Sequence, residues 1–385
     1  MTLKLLHTSD WHAGRLWKGI HRLAELGDVL ENLGDDAQRR KVDVLLMTGD
    51  VFDGGAPPAE AERLVFGFFR RLGRAGIRCV VIGGNHDHPT RLEAWGLLAE
   101  LVGVTVVGRP RAARDGGVIR LAGSDGTPLC IAAIPFAPAR ALLTASEATE
   151  DDEVAHRTYA WRFGALVRTL SSQFSQDSVN ILMAHTHLEG AVLARSERAV
   201  HVGADWAATA DAIPAAAHYV ALGHIHKPQR VDTAPSPTFY AGSPMQLDFG
   251  EAGELKTYNV LEVSPAGIHA LEHVAYQGAR PLTDVRMNMA MLEQEAQKLR
   301  HSGWLRVTVP LDAPQPDING RVRRLLPNAV TVEVELPDSR PPPMVATGGL
   351  SPGQLYAEYV RLTRQEEANP TLAAAFAQLH ADAQE

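Results

Sequence analysis

Residues 77–87 read IRCVVIGGNHD: a short apolar run, two glycines, then an amide, an imidazole and a carboxylate in succession. A run of this length, rich in β-branched residues, marks a strand buried on both faces. Gly83 and Gly84 end it, and Asn85-His86-Asp87 follows at its carboxyl end. The arrangement recurs along the chain. Leu3–His7 leads to Asp10-Trp11-His12, and Val42–Thr48 to Gly49-Asp50-Val51-Phe52-Asp53. Val179–Ala184 leads to His185-Thr186-His187, and Tyr219–Leu222 to Gly223-His224-Ile225-His226. Ile131–Pro135 reads as a further buried strand. Helical patterns fall near 21–41, 59–75, 91–101 and 154–174, and Pro57-Pro58 ahead of Glu60 and Glu62 makes a helix start. Strands alternating with helices are the grammar of an α/β fold.

Beyond the last cluster, TFYAG, LKTYNVLEV and GIHALEHV (238–276) return to strand patterns, which implies a mixed sheet or a sandwich of two sheets. The pattern resets near Gln277–Pro281. A β-α-β-α-β string of about sixty residues follows, with strands at DVRMNM, WLRVTVPL and AVTVEVEL and helices near 290–301 and 317–326. The expected division is a main domain over 1–278, a small α/β capping domain over 279–338, a linker over 339–350 and terminal helices over 351–385. Pro337–Pro343 (PDSRPPP) is a stiff linker candidate. In the terminal helices Leu355, Tyr359 and Leu362 fall at i, i+4, i+7, as do Leu372, Phe376 and Leu379. Such stripes dock on the chain itself or on a partner.

Composition excludes several classes. The chain has 385 residues, 45% hydrophobic and 21% charged, with two cysteines, Cys79 and Cys130, each in an apolar run. That is neither a disordered chain nor a disulfide-framed miniprotein, and both cysteines read as buried strand residues. Met1–Lys4 passes straight into a strand pattern, so no leader is expected, and no apolar stretch reaches the roughly 18 residues of a membrane helix. A reducing compartment, the cytoplasm, is the expected location. The formal net charge of −8 argues against a basic nucleic-acid coat protein. Divalent metals, invisible to a residue count, can supply the positive charge a phosphate needs.

In α/β sheets, ligands bind at the carboxyl ends of strands, so five polar clusters at five strand ends converge on one place. Asp10 and His12 lie two apart, as do His224 and His226, a spacing that puts both side chains of an extended pair on one side. Asp50 offers two oxygens and can bridge two ions; Asn85 adds a carbonyl oxygen and His185 another imidazole. A set of imidazole, carboxylate and amide without sulfur suits a manganese, iron or zinc site rather than a structural zinc site. Each cluster alone has a bland reading as turn or cap chemistry; together, in this order, they do not. Glycines 49, 84 and 223 let the backbone turn beside the ions. His7, His88 and His187 read as supporting or structural residues.

These motifs resemble the calcineurin-like metallophosphoesterase superfamily, and within it the SbcD family of bacterial nuclease subunits. The resemblance rests on HTSDWHAGR (7–15), GDVFD (49–53), GGNHDHPTR (83–91), ALGHIHKPQ (221–229) and YAGSPMQLDFGE (240–251). It implies a two-sheet α-β-β-α sandwich with a small α/β cap and a C-terminal helical tail. It implies that Asp10, His12, Asp50 and His226 bind one divalent ion and that Asp50, Asn85, His185 and His224 bind the other, Mn²⁺ fitting four histidine ligands better than Mg²⁺. His86 would assist the leaving group, and Asp87 would orient His86. Asp53 stands where some relatives carry histidine. The resemblance also implies an SbcC-type ATPase partner held by the terminal helices, duplex DNA ends and hairpins as substrate, and a homodimer. Leu64, Phe68, Trp95 and Leu98 are candidates for the dimer face, although core packing would produce the same pattern. A protein phosphatase, a cyclic-nucleotide phosphodiesterase or a non-catalytic scaffold are the alternatives. The extra α/β domain, the 240–251 run and the helical tail disfavour the first two, and the complete ligand set disfavours the third.

Overall fold

Side chains of the Leu3–Thr8 strand alternate between two cores. Leu3 and Leu5 face one cluster with Val44, Leu46, Val80 and Ile82, while Leu6 faces another with Leu45, Met47, Cys79 and Val81. A strand's period of two sorts them, and both faces are apolar because both are covered. The computed structural model describes residues 2–137, 141–142, 159–194, 196, 207–336, 352–364 and 369–382.

Two six-stranded sheets form the main body. In the first, Leu3–Thr8, Val44–Met47, Arg78–Ile82 and Val104–Val107 run parallel, and Thr257–Ser264 and Gly267–Ala275 add antiparallel strands on the other side of Leu3–Thr8. In the second, Pro128–Ile134, Val179–His185, Tyr219–Gly223 and Thr238–Tyr240 run parallel, flanked by antiparallel Val118–Ala122 and Gln229–Arg230. The sheets share the central core, where Leu5, Val44 and Val80 meet Ile131, Ile181 and Ala221. Helices Leu23–Arg40 and Ala59–Arg74 cover the outer face of the first sheet, and Tyr159–Ser171 covers that of the second. This is the expected α-β-β-α sandwich. Pro58, extended, does precede the Ala59–Arg74 helix, with Glu60 and Glu62 in its first turn. Cys79 and Cys130 are free and buried.

In the two large sheets the sequence reading passed over three strands, Val104–Val107, Val118–Ala122 and Gln229–Arg230. All are short edge strands with mixed burial, so none carries a clean period. The 154–158 part of the fourth helical pattern and the 339–350 linker lie outside the described residues.

A second body follows the sandwich. Leu282–Arg286, Trp304–Pro310 and Ala329–Glu335 form a parallel three-stranded sheet, with helices Met289–Leu299 and Ile318–Leu325 as its crossovers. It has its own core around Leu292, Leu305, Val307 and Val322. It is tied to the sandwich where Trp304 Nε1 donates to Glu25 Oε1 (2.7 Å) and Leu282 N to Gln246 Oε1 (2.6 Å). Trp17, Phe249 and Leu282 pack together at the same junction. Helices Pro352–Arg364 and Pro370–Asp382 lie against each other, with Tyr356 stacked on Phe376 at 4.9 Å between ring centres.

Candidate metal centre

The parallel strands end on one side, and their loops are laced together there. Asp10 N donates to the Gly49 carbonyl, and His12 N to the Asp50 carbonyl, both at 3.0 Å. His224 N, from the second sheet, donates to Asp10 Oδ1 at 3.1 Å. Among the described residues seven non-glycine residues have positive φ, and four of them stand here: Asp10 (52°), His12 (46°), Asp50 (50°) and His224 (98°). Such conformations cost on the order of 1–3 kcal/mol each and persist where surrounding bonds enforce them. The expectation of an extended Asp10-x-His12 pair is therefore corrected: left-handed turns aim these side chains.

The glycines also act differently from the expectation. Gly49 does have positive φ, 98°. Gly84 and Gly223 do not; they are required by close approach. A Cβ on Gly84 would sit 2.1 Å from Asp50 Oδ1, and one on Gly223 would sit 2.1 Å from the Thr48 carbonyl oxygen.

Every expected ligand residue lands in this cluster, all buried but the half-buried Asn85, in two nests on either side of Asp50. In the first, Asp10, His12, Asp50 and His226 have ligand atoms within 4.8 Å of one another. His12 Nε2 lies 3.1 Å from His226 Nε2 and 3.6 Å from Asp50 Oδ2. In the second, Asn85 Oδ1 lies 2.9 Å from His185 Nε2 and 2.8 Å from His224 Nδ1, and His185 Nε2 is 3.7 Å from Asp50 Oδ2.

Proton positions show that this donor set fits cations. A neutral imidazole carries one N–H, and its other nitrogen is a bare lone pair. His185 Nδ1 faces the Thr48 carbonyl at 2.7 Å and must donate to it, so Nε2 is bare. His12 Nδ1 donates to Asp53 Oδ1 (3.2 Å), and His226 Nδ1 faces Ser196 Oγ (2.6 Å), which itself donates to Glu251. Two bare nitrogens, His12 Nε2 and His226 Nε2, thus face each other beside a carboxylate. Lone pairs at that separation repel unless a cation lies among them. Burial, and then the neighbouring imidazoles of His226 and His86, hold the His12 pKa well below its ordinary value, which keeps that nitrogen available. The set fits a dinuclear divalent metal site.

His86 projects beside the nests with Nε2 4.0 Å from Asp50 Oδ2. Its Nδ1 donates to the Asp53 carbonyl at 2.8 Å. The expected orienting role of Asp87 is thus taken by the Asp53 main chain. Asp87 instead accepts from the backbone N–H of Gly84 (2.9 Å), Phe52 (3.0 Å) and Val51 (3.2 Å), and so pins the Asp50 loop to the Asn85 loop. Asp53, whose part the sequence left open, serves twice, by its carboxylate on His12 and its carbonyl on His86.

Of the companion histidines, His7 is buried between Tyr219 Oη and Thr48 Oγ1, 3.0 Å from each, and His88 caps the Pro89–Ala99 helix. His187 lies in a two-residue strand paired with Ala207–Ala208. The sequence reading missed Thr48, Ser196, Glu251 and Lys256. Only Glu251 had a signal, since it closes the 240–251 run, which contains no ligand. Burial alone would raise the Glu251 carboxyl, but its hydrogen bond with His226 and the charge of Lys256 outweigh it and hold the pKa at about 2.

The model of one protein family, the calcineurin-like phosphoesterases, matches residues 3–228, the span that contains every residue of the two nests. The chain belongs to the calcineurin-like phosphoesterase family. As a member it is a metal-dependent phosphoesterase. Its relatives include the SbcD component of the SbcCD nuclease of Bacillus subtilis, 33% identical over 73% of this chain and 71% of that protein. The SbcD protein of Escherichia coli K12 is 28% identical over 87% of this chain and 84% of its own length. That of Rhodobacter capsulatus is 30% identical over 82% of each. Within the phosphoesterases this chain therefore groups with the SbcD proteins.

Proposed function

We propose that this phosphoesterase is the nuclease subunit of an SbcCD-type complex, cutting DNA phosphodiesters with two Mn²⁺ ions. In this reading it digests duplex ends 3′ to 5′, opens single strands and hairpins, and serves DNA end processing, repair, recombination and replication in the cytoplasm. The observation that carries the reading is the Asp/His/Asn cluster at the strand ends, in a chain similar to SbcD proteins over most of its length.

Asp10, His12, Asp50 and His226 would hold one ion, and Asp50, Asn85, His185 and His224 the other. Bound there, two divalent ions would neutralise the phosphate and lower the pKa of the attacking water. Four imidazoles favour Mn²⁺ over Mg²⁺, which prefers oxygen. The chain's own residues do the rest. The Asp53 carbonyl holds the proton on His86 Nδ1, so His86 Nε2 is the atom that takes up a second proton and passes it to the leaving oxygen. Asp53 and Thr48 fix the His12 and His185 rings, and Asp87 keeps the two ligand loops in register.

The terminal helices, with Leu355, Tyr359 and Leu372 exposed, would bind an SbcC-type ATPase. That partner would supply phosphate contacts that an acidic nuclease chain lacks. Of the four residues expected on the dimer face, Leu98 alone would serve there. Phe68 is core, Leu64 packs against that core, and Trp95 stacks on Phe66. Leu98 stands 71% exposed, and Leu97 (75%) and Leu101 (83%) join it along one short stretch, an apolar patch suited to a second copy.

The deciding experiment is cleavage of an end-labelled linear duplex with Mn²⁺, Mg²⁺ or EDTA, beside Asp50→Ala. Mn²⁺-dependent degradation that Asp50→Ala lacks is expected, along with loss of both ions from that variant. Hydrolysis of a phosphopeptide or cyclic AMP, with duplex DNA left intact even when the ATPase and ATP are added, would overturn the nuclease reading.

A further inference from the structure

Glu251 lies beyond the 3–228 span of the family match and is fully buried. Burial of a carboxylate calls for partners, and they are specific. Its Oε2 pairs with Lys256 Nζ at 2.7 Å and accepts from Leu247 N at 3.0 Å. Its Oε1 accepts from Ser196 Oγ and lies 3.5 Å from His226 Nδ1, the nitrogen that Ser196 Oγ approaches to 2.6 Å. Lys256, equally buried, donates from Nζ to the His226 carbonyl at 2.9 Å and to Glu254 Oε2 at 2.9 Å. The two charges of one buried pair therefore grip a single residue, His226, at its ring and at its backbone.

A buried pair is a poor source of stability. The desolvation of both charges cancels most of their attraction, and apolar residues of similar volume often do as well or better. What a carboxylate behind a histidine does supply is a fixed tautomer and a fixed ring plane, so that the opposite nitrogen presents its lone pair in one direction. His226 Nε2 is the bare nitrogen facing His12 Nε2 and Asp50.

We infer that Glu251, braced by Lys256 and acting through Ser196, is the positioning residue for His226, and so sets the affinity of the ion nested with Asp10, His12 and Asp50. The inference rests on the two-ion reading of the site. The other nest has its own device, the Thr48 carbonyl on His185, and does not depend on Glu251. One ion, not both, answers to the pair.

The test uses the full chain stripped of metal and titrated with Mn²⁺, followed by calorimetry and by electron paramagnetic resonance. Wild type takes up two magnetically coupled ions. Glu251→Leu with Lys256→Met removes both charges of the fully buried pair together; Glu254, which loses Lys256, keeps a solvent-exposed edge. This double variant is expected to keep one ion at wild-type affinity, to bind the other roughly 10–100-fold more weakly and to give the spectrum of an uncoupled ion. Glu251→Gln with Lys256→Met restores an oxygen acceptor and should recover most of the lost affinity. The metal-free melting temperature is expected to change little in either. Two ions bound at wild-type affinity by the Leu/Met variant would overturn the inference. So would equal weakening of both ions with a lowered metal-free melting temperature, the pattern of a merely structural pair. Fewer than two ions in wild type would overturn the two-ion reading itself.

Discussion

Gly84→Ala adds one methyl group at the point where the Asn85 loop crosses the Asp50 loop. The new carbon would lie 2.1 Å from Asp50 Oδ1 and 2.2 Å from Asp50 N, where ordinary contact begins at 3.4 Å. The obstacle includes backbone, which is itself held by the His12 N bond to the Asp50 carbonyl. The shared carboxylate must therefore retreat by about 1 Å, and a shift of that size at a reacting centre costs on the order of 10²-fold in rate. Overpacking adds about 1–3 kcal/mol of destabilisation, a melting temperature lower by roughly 2–10 °C. In the proposed two-ion reading Asp50 serves both nests, so both Mn²⁺ affinities should fall. The assay is hydrolysis of a small chromogenic phosphodiester together with Mn²⁺ titration. Gly54→Ala is the control, since a Cβ there meets nothing within 4 Å. A Gly84→Ala chain that binds two ions and turns over like Gly54→Ala would refute the close-approach argument.

His86→Gln should lose about 10²- to 10⁴-fold in turnover while Mn²⁺ stoichiometry stays at the wild-type value; a wild-type rate would remove His86 from proton transfer. His7 offers a pH test. Burial, opposed weakly by a Leu222 backbone hydrogen bond, holds its imidazole at about 3 instead of 6.5. The unfolded chain therefore takes up this proton first, so the His7 contribution is whole above pH 6.5 and is lost as pH falls from 6.5 toward 3. At about 1.4 kcal/mol per pH unit, some 2 kcal/mol is gone by pH 5. Denaturant melts of the metal-free chain at pH 8 and pH 5 should show a smaller drop for His7→Gln than for wild type; parallel drops would contradict the burial argument. Truncation after Pro343 should abolish capture by an SbcC-type ATPase yet spare hydrolysis of a small phosphodiester, and retained capture would place the partner's docking site elsewhere.

The set of residues at the strand ends was legible in the sequence. A strand buried on both faces is a local apolar run, and a ligand cluster adjoins it in the chain, so Asp10, His12, Asp50, Asn85, His86, His185, His224 and His226 were all legible from short stretches. The order of strands and helices was legible for the same reason, apart from three edge strands too short and too mixed in burial to carry a period. The backbone that aims the ligands was not legible: positive φ at Asp10 and His12 follows from the lacing of two loops, not from the Asp-x-His spacing. Nor was the exposed face of the helix near Trp95, because amphipathic spacing is the same whether a face meets its own core or a second copy. The tertiary structure alone decided which group holds each imidazole proton. Asp53 on His12, Thr48 on His185 and Ser196 on His226 are 41, 137 and 30 positions apart. Residue chemistry and periodicity are properties of neighbours in the chain, whereas the acceptor for a buried N–H is whichever atom the packing of two sheets leaves within 3 Å or so.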